Sequence, residues 1–161
     1  MLGYQRQRYW IIWLFFLLAF ILQIIPWPHA LMILRPNWLA LFLIYWVIEY
    51  PQYVNIGTGF MVGLIWDLIL GSILGIHALA FSLLAYLVAF KFQIFRNIPL
   101  WQHSLLVVFL TAAVDVIIFW GEFSILHVSF HPELFLNSIV NGVLWPWLSW
   151  LMRKLDYSFK L

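Results

Sequence analysis

Long apolar runs fill most of the chain and are separated by short breaks of proline, glycine and charged residues. Strand-like alternation of apolar and polar positions does not persist in any run. The breaks predict helices at residues 9–25, 38–50, 56–70, 76–90, 100–121 and 134–152. Helices that are apolar on all sides are typical of membrane spans, so the pattern predicts six transmembrane helices.

Composition excludes the main soluble classes. Of the 161 residues, 66% are hydrophobic and only 9% are charged, whereas soluble domains carry about a quarter charged residues. So few charges cannot cover a soluble surface, and a net charge of +2 is too small for a protein that binds nucleic-acid phosphates. We therefore predict an all-α integral membrane protein: one polytopic domain over residues 1–161, folded as a bundle of six transmembrane helices.

Basic residues predict the orientation in the membrane. With six spans, both termini share one side with residues 51–55 and 91–98, and that side carries all eight Lys and Arg residues except Arg35. Basic segments remain in the cytoplasm, so we expect both termini to be cytoplasmic. The first run follows Arg6 and Arg8 as in a signal peptide. It lacks a small-residue cleavage site, which predicts an uncleaved first helix.

Catalytic and metal-binding motifs are absent from the sequence. There is no G-x-S-x-G motif and no Walker loop, and the chain has no cysteine for a thiolate site. His127 and His131 lie close to Glu133, but Pro132 disfavours the helical geometry that would direct both rings to one metal. We predict a protein without enzymatic activity, metal or cofactor.

Two aspartates, Asp67 and Asp115, fall within predicted spans. A charged residue at the centre of a spanning helix costs about 2.5–3.5 kcal/mol on insertion scales, so both should lie against protein or water. The residues predicted to form a polar cluster at that depth are Arg35, His77, Asp115 and Glu122. A proton or solute pathway and a hydrogen-bonded packing site both remain open. Packing is favoured because little besides Glu49 is ionisable nearer the cytoplasm.

Small residues recur at intervals of four in the third span. Gly59, Gly63 and Asp67 share one helix face, because 3.6 residues per turn keep positions i and i+4 close. Small residues let a neighbouring backbone approach, which is how helices associate in lipid. We predict that this face packs on another helix or binds a partner. The alternative is that the glycines only ease a bend.

Pro146 interrupts the sixth predicted span. A proline within a helix removes one backbone hydrogen bond and clashes with the preceding turn, so we expect a kink. Asn141 lies five residues earlier and is a candidate to bond the polar groups around the kink. The alternative is a lone proline that the helix tolerates.

Several stretches, taken together and in order, resemble the MreD family of rod shape-determining membrane proteins. These are RPNW at 35–38, GTGF at 57–60, DL at 67–68 with GSILG at 71–75, and NGVLWPW at 141–147. The resemblance covers about residues 9–154. One departure is the loop at residues 52–53, where a basic residue is expected.

This resemblance implies a non-enzymatic component of the bacterial machinery for cell elongation, located in the inner membrane. Its expected partners are MreC, the actin-like MreB, and the glycosyltransferase and transpeptidase that build the lateral wall. The family is also similar in fold to the substrate-binding components of energy-coupling-factor transporters. That similarity supplies an alternative function, a membrane transporter component that binds a small solute. The sequence leaves open which helix face binds a partner.

Overall fold

Helices form nearly all of the structure. The computed structural model describes residues 2–71, 73–127, 129 and 133–158. Its α-helices are α1 (Leu2–Ile24), α2 (Trp38–Glu49), α3 (Ile56–Leu70), α4 (Ile76–Phe90), α5 (Phe92–Asn97), α6 (Leu100–Leu126) and α7 (Glu133–Ser158), with a 3-10 helix at His29–Leu34. The described residues contain no strand, which confirms the prediction of an all-α protein.

A helix lies at each of the six predicted positions, but several boundaries differ. The predicted polar loop from residue 122 is wrong at its start, since α6 continues to Leu126. No proline or glycine follows Gly121 there, and the Ser124 hydroxyl bonds back to the Trp120 carbonyl at 2.8 Å instead of ending the helix. The connection at 91–98 contains α5, and α7 runs six residues beyond its predicted end at 152.

Helix length divides the elements into two groups. Among the described residues, Arg6–Ile24 in α1 and Leu100–Leu126 are long and apolar enough to cross a membrane. Helix α2 has 12 residues, and α3 and α4 have 15 each. At 1.5 Å per residue, α2 extends about 18 Å, against about 30 Å for the hydrocarbon core of a bilayer.

Helix α2 is the centre of the fold. Every residue from Leu39 to Ile48 is buried, because α1 and α4 pack on it while α5, α6 and α7 also contact it. This explains why α2 is apolar on all sides: other helices surround it completely.

Side chains from other helices bond the free backbone groups at the start of α2. The Trp38 amide donates to Oε1 of Gln23 in α1 at 3.0 Å, and the Asn37 amide donates to Oδ1 of Asn141 in α7 at 2.9 Å. Asn37 is itself the N-cap, accepting from the Ala40 amide at 3.3 Å. The half-buried start of α2 is thus bonded to the first and the last helix of the chain.

A side chain from another helix also bonds the free carbonyl groups at the end of α2. Nη2 of Arg96, in α5, donates to the carbonyls of Ile48 at 2.7 Å and Glu49 at 3.1 Å. The last carbonyls of a helix have no partner within it. A guanidinium satisfies two of them here and complements the negative end of the helix.

Helices α3 and α4 form a close antiparallel pair with glycine at the contact. A Cβ built on Gly59 would lie 2.6 Å from the Phe81 carbonyl oxygen, and one on Gly63 would lie 2.5 Å from Cα of Ala78. Both distances are shorter than real contacts of a methyl group. Glycine at these two positions therefore lets the two backbones touch.

Gly63→Ala should destabilise the protein, because the new methyl group would overlap the backbone of α4. We expect a loss of about 1–3 kcal/mol in the free energy of unfolding, measured by denaturant titration of the purified protein in detergent. Gly57→Ala is the control, since its Cβ would meet only the Asn55 side chain at 3.4 Å. Equal stability of the two variants would contradict a close α3–α4 contact.

Candidate functional site: a buried carboxylate at the start of helix α4

The connection between α3 and α4 brings the last turn of one helix against the first turn of the other. Gly71 ends α3 with φ +64°, and Gly75 precedes α4 with φ +103°. Only glycine adopts these left-handed angles without strain. The chain thus reverses direction within a few residues, and Asp67 in α3 reaches the start of α4.

The Asp67 carboxylate accepts hydrogen bonds from several groups of α4. Its Oδ2 accepts from the amides of Gly75 at 2.9 Å and Ala78 at 3.3 Å. Its Oδ1 accepts from the His77 amide at 3.3 Å and contacts Nδ1 of the His77 ring at 2.7 Å. Asp67 has no solvent exposure, so these bonds replace the water that burial removes.

This carboxylate takes the place of a helix cap. Gly75 is the N-cap of α4 and has no side chain to accept from the first amides. Asp67, eight residues earlier, supplies the missing acceptor from a different helix. Its position also matches the positive end of the α4 dipole, where a carboxylate is stabilising.

The geometry favours a packing role for Asp67. The hydrogen bonds described above all run to α4, from the amides of its first turn and from the His77 ring. Gly59 and Gly63 lie on the same side of α3, also against α4. The structure therefore places the three residues of the predicted face at one contact within the chain, and not on an outer surface open to a partner.

The predicted polar cluster is divided among separate contacts. Asp115 in α6 accepts from the Ser138 hydroxyl of α7 at 3.2 Å, whereas His77 contacts Asp67. Arg35 is half-buried, and its Nε has no hydrogen-bond partner. Arg35, His77, Asp115 and Glu122 all lie in the described part of the chain, and no hydrogen bond or ion pair there joins any two of them.

Asn141 and Pro146 occupy neighbouring turns of α7 but serve different contacts. Pro146 lies inside the helix, and its carbonyl accepts from the Ser149 hydroxyl at 3.1 Å. The Asn141 amide oxygen instead bonds the Asn37 amide at the start of α2. Asn141 thus connects α7 to the buried helix, while the kink at Pro146 stays a prediction.

The histidine pair considered as a metal site is only partly described. His127 ends α6 in a left-handed conformation with φ 53°, and His131 lies outside the described residues. Within the part of the chain that the structure describes, no group of three or more His, Asp or Glu side chains is placed to hold a metal ion.

Sequence reasoning missed a polar contact where α2 and α7 end. The Tyr50 hydroxyl lies 2.8 and 2.9 Å from the two carboxylate oxygens of Asp156, and the Arg8 guanidinium lies 5.9 Å from the Tyr50 ring centre. Burial raises the pKa of the Asp156 carboxyl, while the Tyr50 hydrogen bond and the Arg8 charge act in the opposite direction. No local pattern signals a pair 106 residues apart.

Substitutions at Asp67 should separate hydrogen bonding from charge. Asp67→Asn keeps one acceptor oxygen and should cost about 1–2 kcal/mol of stability, whereas Asp67→Leu leaves several buried amides without a partner and should cost about 3 kcal/mol or more. Unfolding in detergent measures both. Asp115→Asn is a control that disturbs one long hydrogen bond. If both Asp67 variants unfold at the same denaturant concentration as the natural chain, the packing role is wrong.

Comparison with known proteins supplies the context for this architecture. Residues 4–155 match the family described as rod shape-determining protein MreD. The rod shape-determining protein MreD of Haemophilus influenzae is 46% identical over 147 residues, which cover 91% of each chain. No solved structure matches the chain. Both matches are named as shape-determining proteins, and α1 and α6 contain segments long and apolar enough to cross a membrane, which fits a membrane protein. The chain belongs to the MreD family of rod shape-determining proteins.

Proposed function

We propose that this protein is a non-enzymatic scaffold of the machinery that synthesises the lateral cell wall, acting with MreC and MreB. The glycosyltransferase and transpeptidase of that machinery are its further partners, and the bacterial inner membrane is its location. The observation that carries the proposal is the family match over residues 4–155, together with 46% identity to a rod shape-determining protein.

Outward-facing apolar side chains support a multi-pass arrangement in the membrane. Phe109 and Trp120 of α6 are 71% and 69% exposed, and Val143 of α7 is 76% exposed. Soluble monomers rarely expose apolar surface continuously along several helices. Exposed tryptophans near the predicted cytoplasmic ends, Trp10, Trp101, Trp147 and Trp150, fit the level of the lipid headgroups.

The buried polar groups support a scaffold more than a solute-binding protein. Gln23, Asn141 and Asp67 each bond the backbone of a neighbouring helix, so their acceptor oxygens are engaged in holding the bundle together. The transporter-component alternative, and with it the fold similarity to energy-coupling-factor components, stays a prediction. The segments between helices are short, which leaves lipid-facing helix surface for binding other spanning helices.

Depletion of the protein should turn rod-shaped host cells into rounded ones, because the elongation machinery loses a membrane component. Re-expression of the natural chain or of Gly57→Ala should restore rods, whereas Gly63→Ala should restore them only in proportion to its folded amount. Microscopy with quantitative blotting measures both quantities. Normal rod growth of a clean deletion strain would overturn the shape function.

Reporter fusions test the six-span orientation. A cytoplasm-specific reporter should be active near residues 94 and 158, because the basic residues concentrate at that side. A reporter active only outside the cytoplasm should work near residues 30 and 128. A cytoplasmic signal from the fusion at residue 128 would contradict the arrangement.

A further inference from the structure

An apolar groove opens sideways between α6 and α7. It has a volume of about 760 Å³, and it is lined by Leu100, Trp101, Leu105 and Val108 of α6 with Val143 and Pro146 of α7. The Ser104 hydroxyl beside it donates its hydrogen bond to the Leu100 carbonyl at 3.2 Å. This hydroxyl therefore has no free hydrogen to donate to a molecule in the groove. We call this feature the α6–α7 groove.

The way the two helices pack creates the groove. Gly142 lies so close to Val108 and the Ser104 carbonyl that any side chain there would collide with α6. The two helices therefore touch along one line, while the larger side chains beyond it hold the groove walls apart. Val143, 76% exposed, and Leu105, 51% exposed, face its open side.

Basic and tryptophan side chains continue the groove beyond Pro146. Residues 143, 146, 150 and 153–154 follow one another at helical spacing along α7. Lys154 Nζ lies 5.1 Å from the ring centre of Trp150, and Arg153 and Lys154 are exposed. The acidic residue next in sequence, Asp156, is hydrogen-bonded to Tyr50.

We propose that the α6–α7 groove binds one acyl chain of an anionic phospholipid, whose phosphate lies against Arg153 and Lys154. The apolar groove suits a hydrocarbon chain, the two cations complement a phosphate, and Trp101 and Trp150 lie at the level where amphipathic rings meet headgroups. A groove of this volume has the size of a small-molecule site.

The proposal requires that α6 and α7 lie side by side in the bilayer, and α6 has the length and apolar composition of a spanning helix. It does not depend on which end is cytoplasmic or on the partners in wall synthesis. A failure of the lipid experiment and a failure of the shape experiment are therefore separate results.

Native mass spectrometry of the full chain in detergent tests the site. The probes are phosphatidylglycerol and phosphatidylcholine with the same palmitoyl and oleoyl chains, titrated separately. We expect phosphatidylglycerol to bind more tightly. Arg153→Gln and Lys154→Gln should each reduce that preference by roughly fivefold. Lys91→Gln, which removes an exposed charge elsewhere, should leave it unchanged.

Bulky substitutions test the groove itself. Val143→Trp and Leu105→Trp should each fill it and weaken binding of both lipids. Phe109→Trp, at an exposed position of α6 outside the groove, should not. Thermal unfolding identifies any variant that fails to fold. Because there are two groove variants, the groove can still be tested if one of them does not fold.

Three results would overturn the proposal. Equal affinity for the two lipids would show that Arg153 and Lys154 do not select an anionic headgroup. Unchanged lipid binding in both groove variants would show that the lipid binds outside the groove. A dimer of the chain that dissociates in Val143→Trp without loss of a bound lipid would show that a second copy occupies the groove.

Discussion

The structure depends on the need to satisfy backbone groups at the ends of a helix that is buried on every side. The ends of α2 are half-buried, and a buried amide or carbonyl without a partner costs several kcal/mol. Helix α2 meets this requirement with side chains of three other helices: Gln23 of α1, Asn141 of α7 and Arg96 of α5. These hydrogen bonds satisfy the terminal backbone groups of α2 and also fix the positions of α1, α5 and α7 around it. Helix α2 therefore orders the bundle through its two ends as well as through its apolar surface.

In the α3–α4 pair too, a side chain of one helix bonds the free backbone groups at the end of another. Asp67 bonds the first amides of α4 from the last turn of α3, and glycine at positions 59 and 63 lets the backbones touch. Apolar side chains gain little by leaving lipid for protein, so close backbone contact and buried hydrogen bonds must supply the attraction between helices. The residues that look most like a functional site in the sequence, Asp67 and the glycines before it, lie in the structure at the contact between α3 and α4. That assignment is consistent with a family of shape-determining proteins without enzymatic activity.

Sequence patterns were sufficient to locate the helices, because that information is local, while the role of the small-residue face stays a prediction. Proline and glycine end apolar runs, and a spacing of four places Gly59, Gly63 and Asp67 on one side of α3. Contacts between distant parts of the chain were beyond these patterns. Similar depth in the membrane suggested a cluster of Arg35, His77, Asp115 and Glu122. Depth does not reveal the direction in which each side chain points from its helix. In the structure His77 contacts Asp67, and Asp115 accepts from Ser138. The partners of Tyr50 and Arg96 are equally invisible in the sequence.

The bond between Asn37 and Asn141 has a consequence for biogenesis. Synthesis of α2 is complete long before α7 is made, so the bond from the Asn37 amide to Asn141 can form only once the last helix is present. The bond from the Trp38 amide to Gln23 can form earlier, because α1 precedes α2 in the chain. The contacts of α2 are complete only after α7 has been added. A chain truncated before α7 would lack the Asn141 acceptor and would leave the Asn37 amide at the start of α2 without this bond.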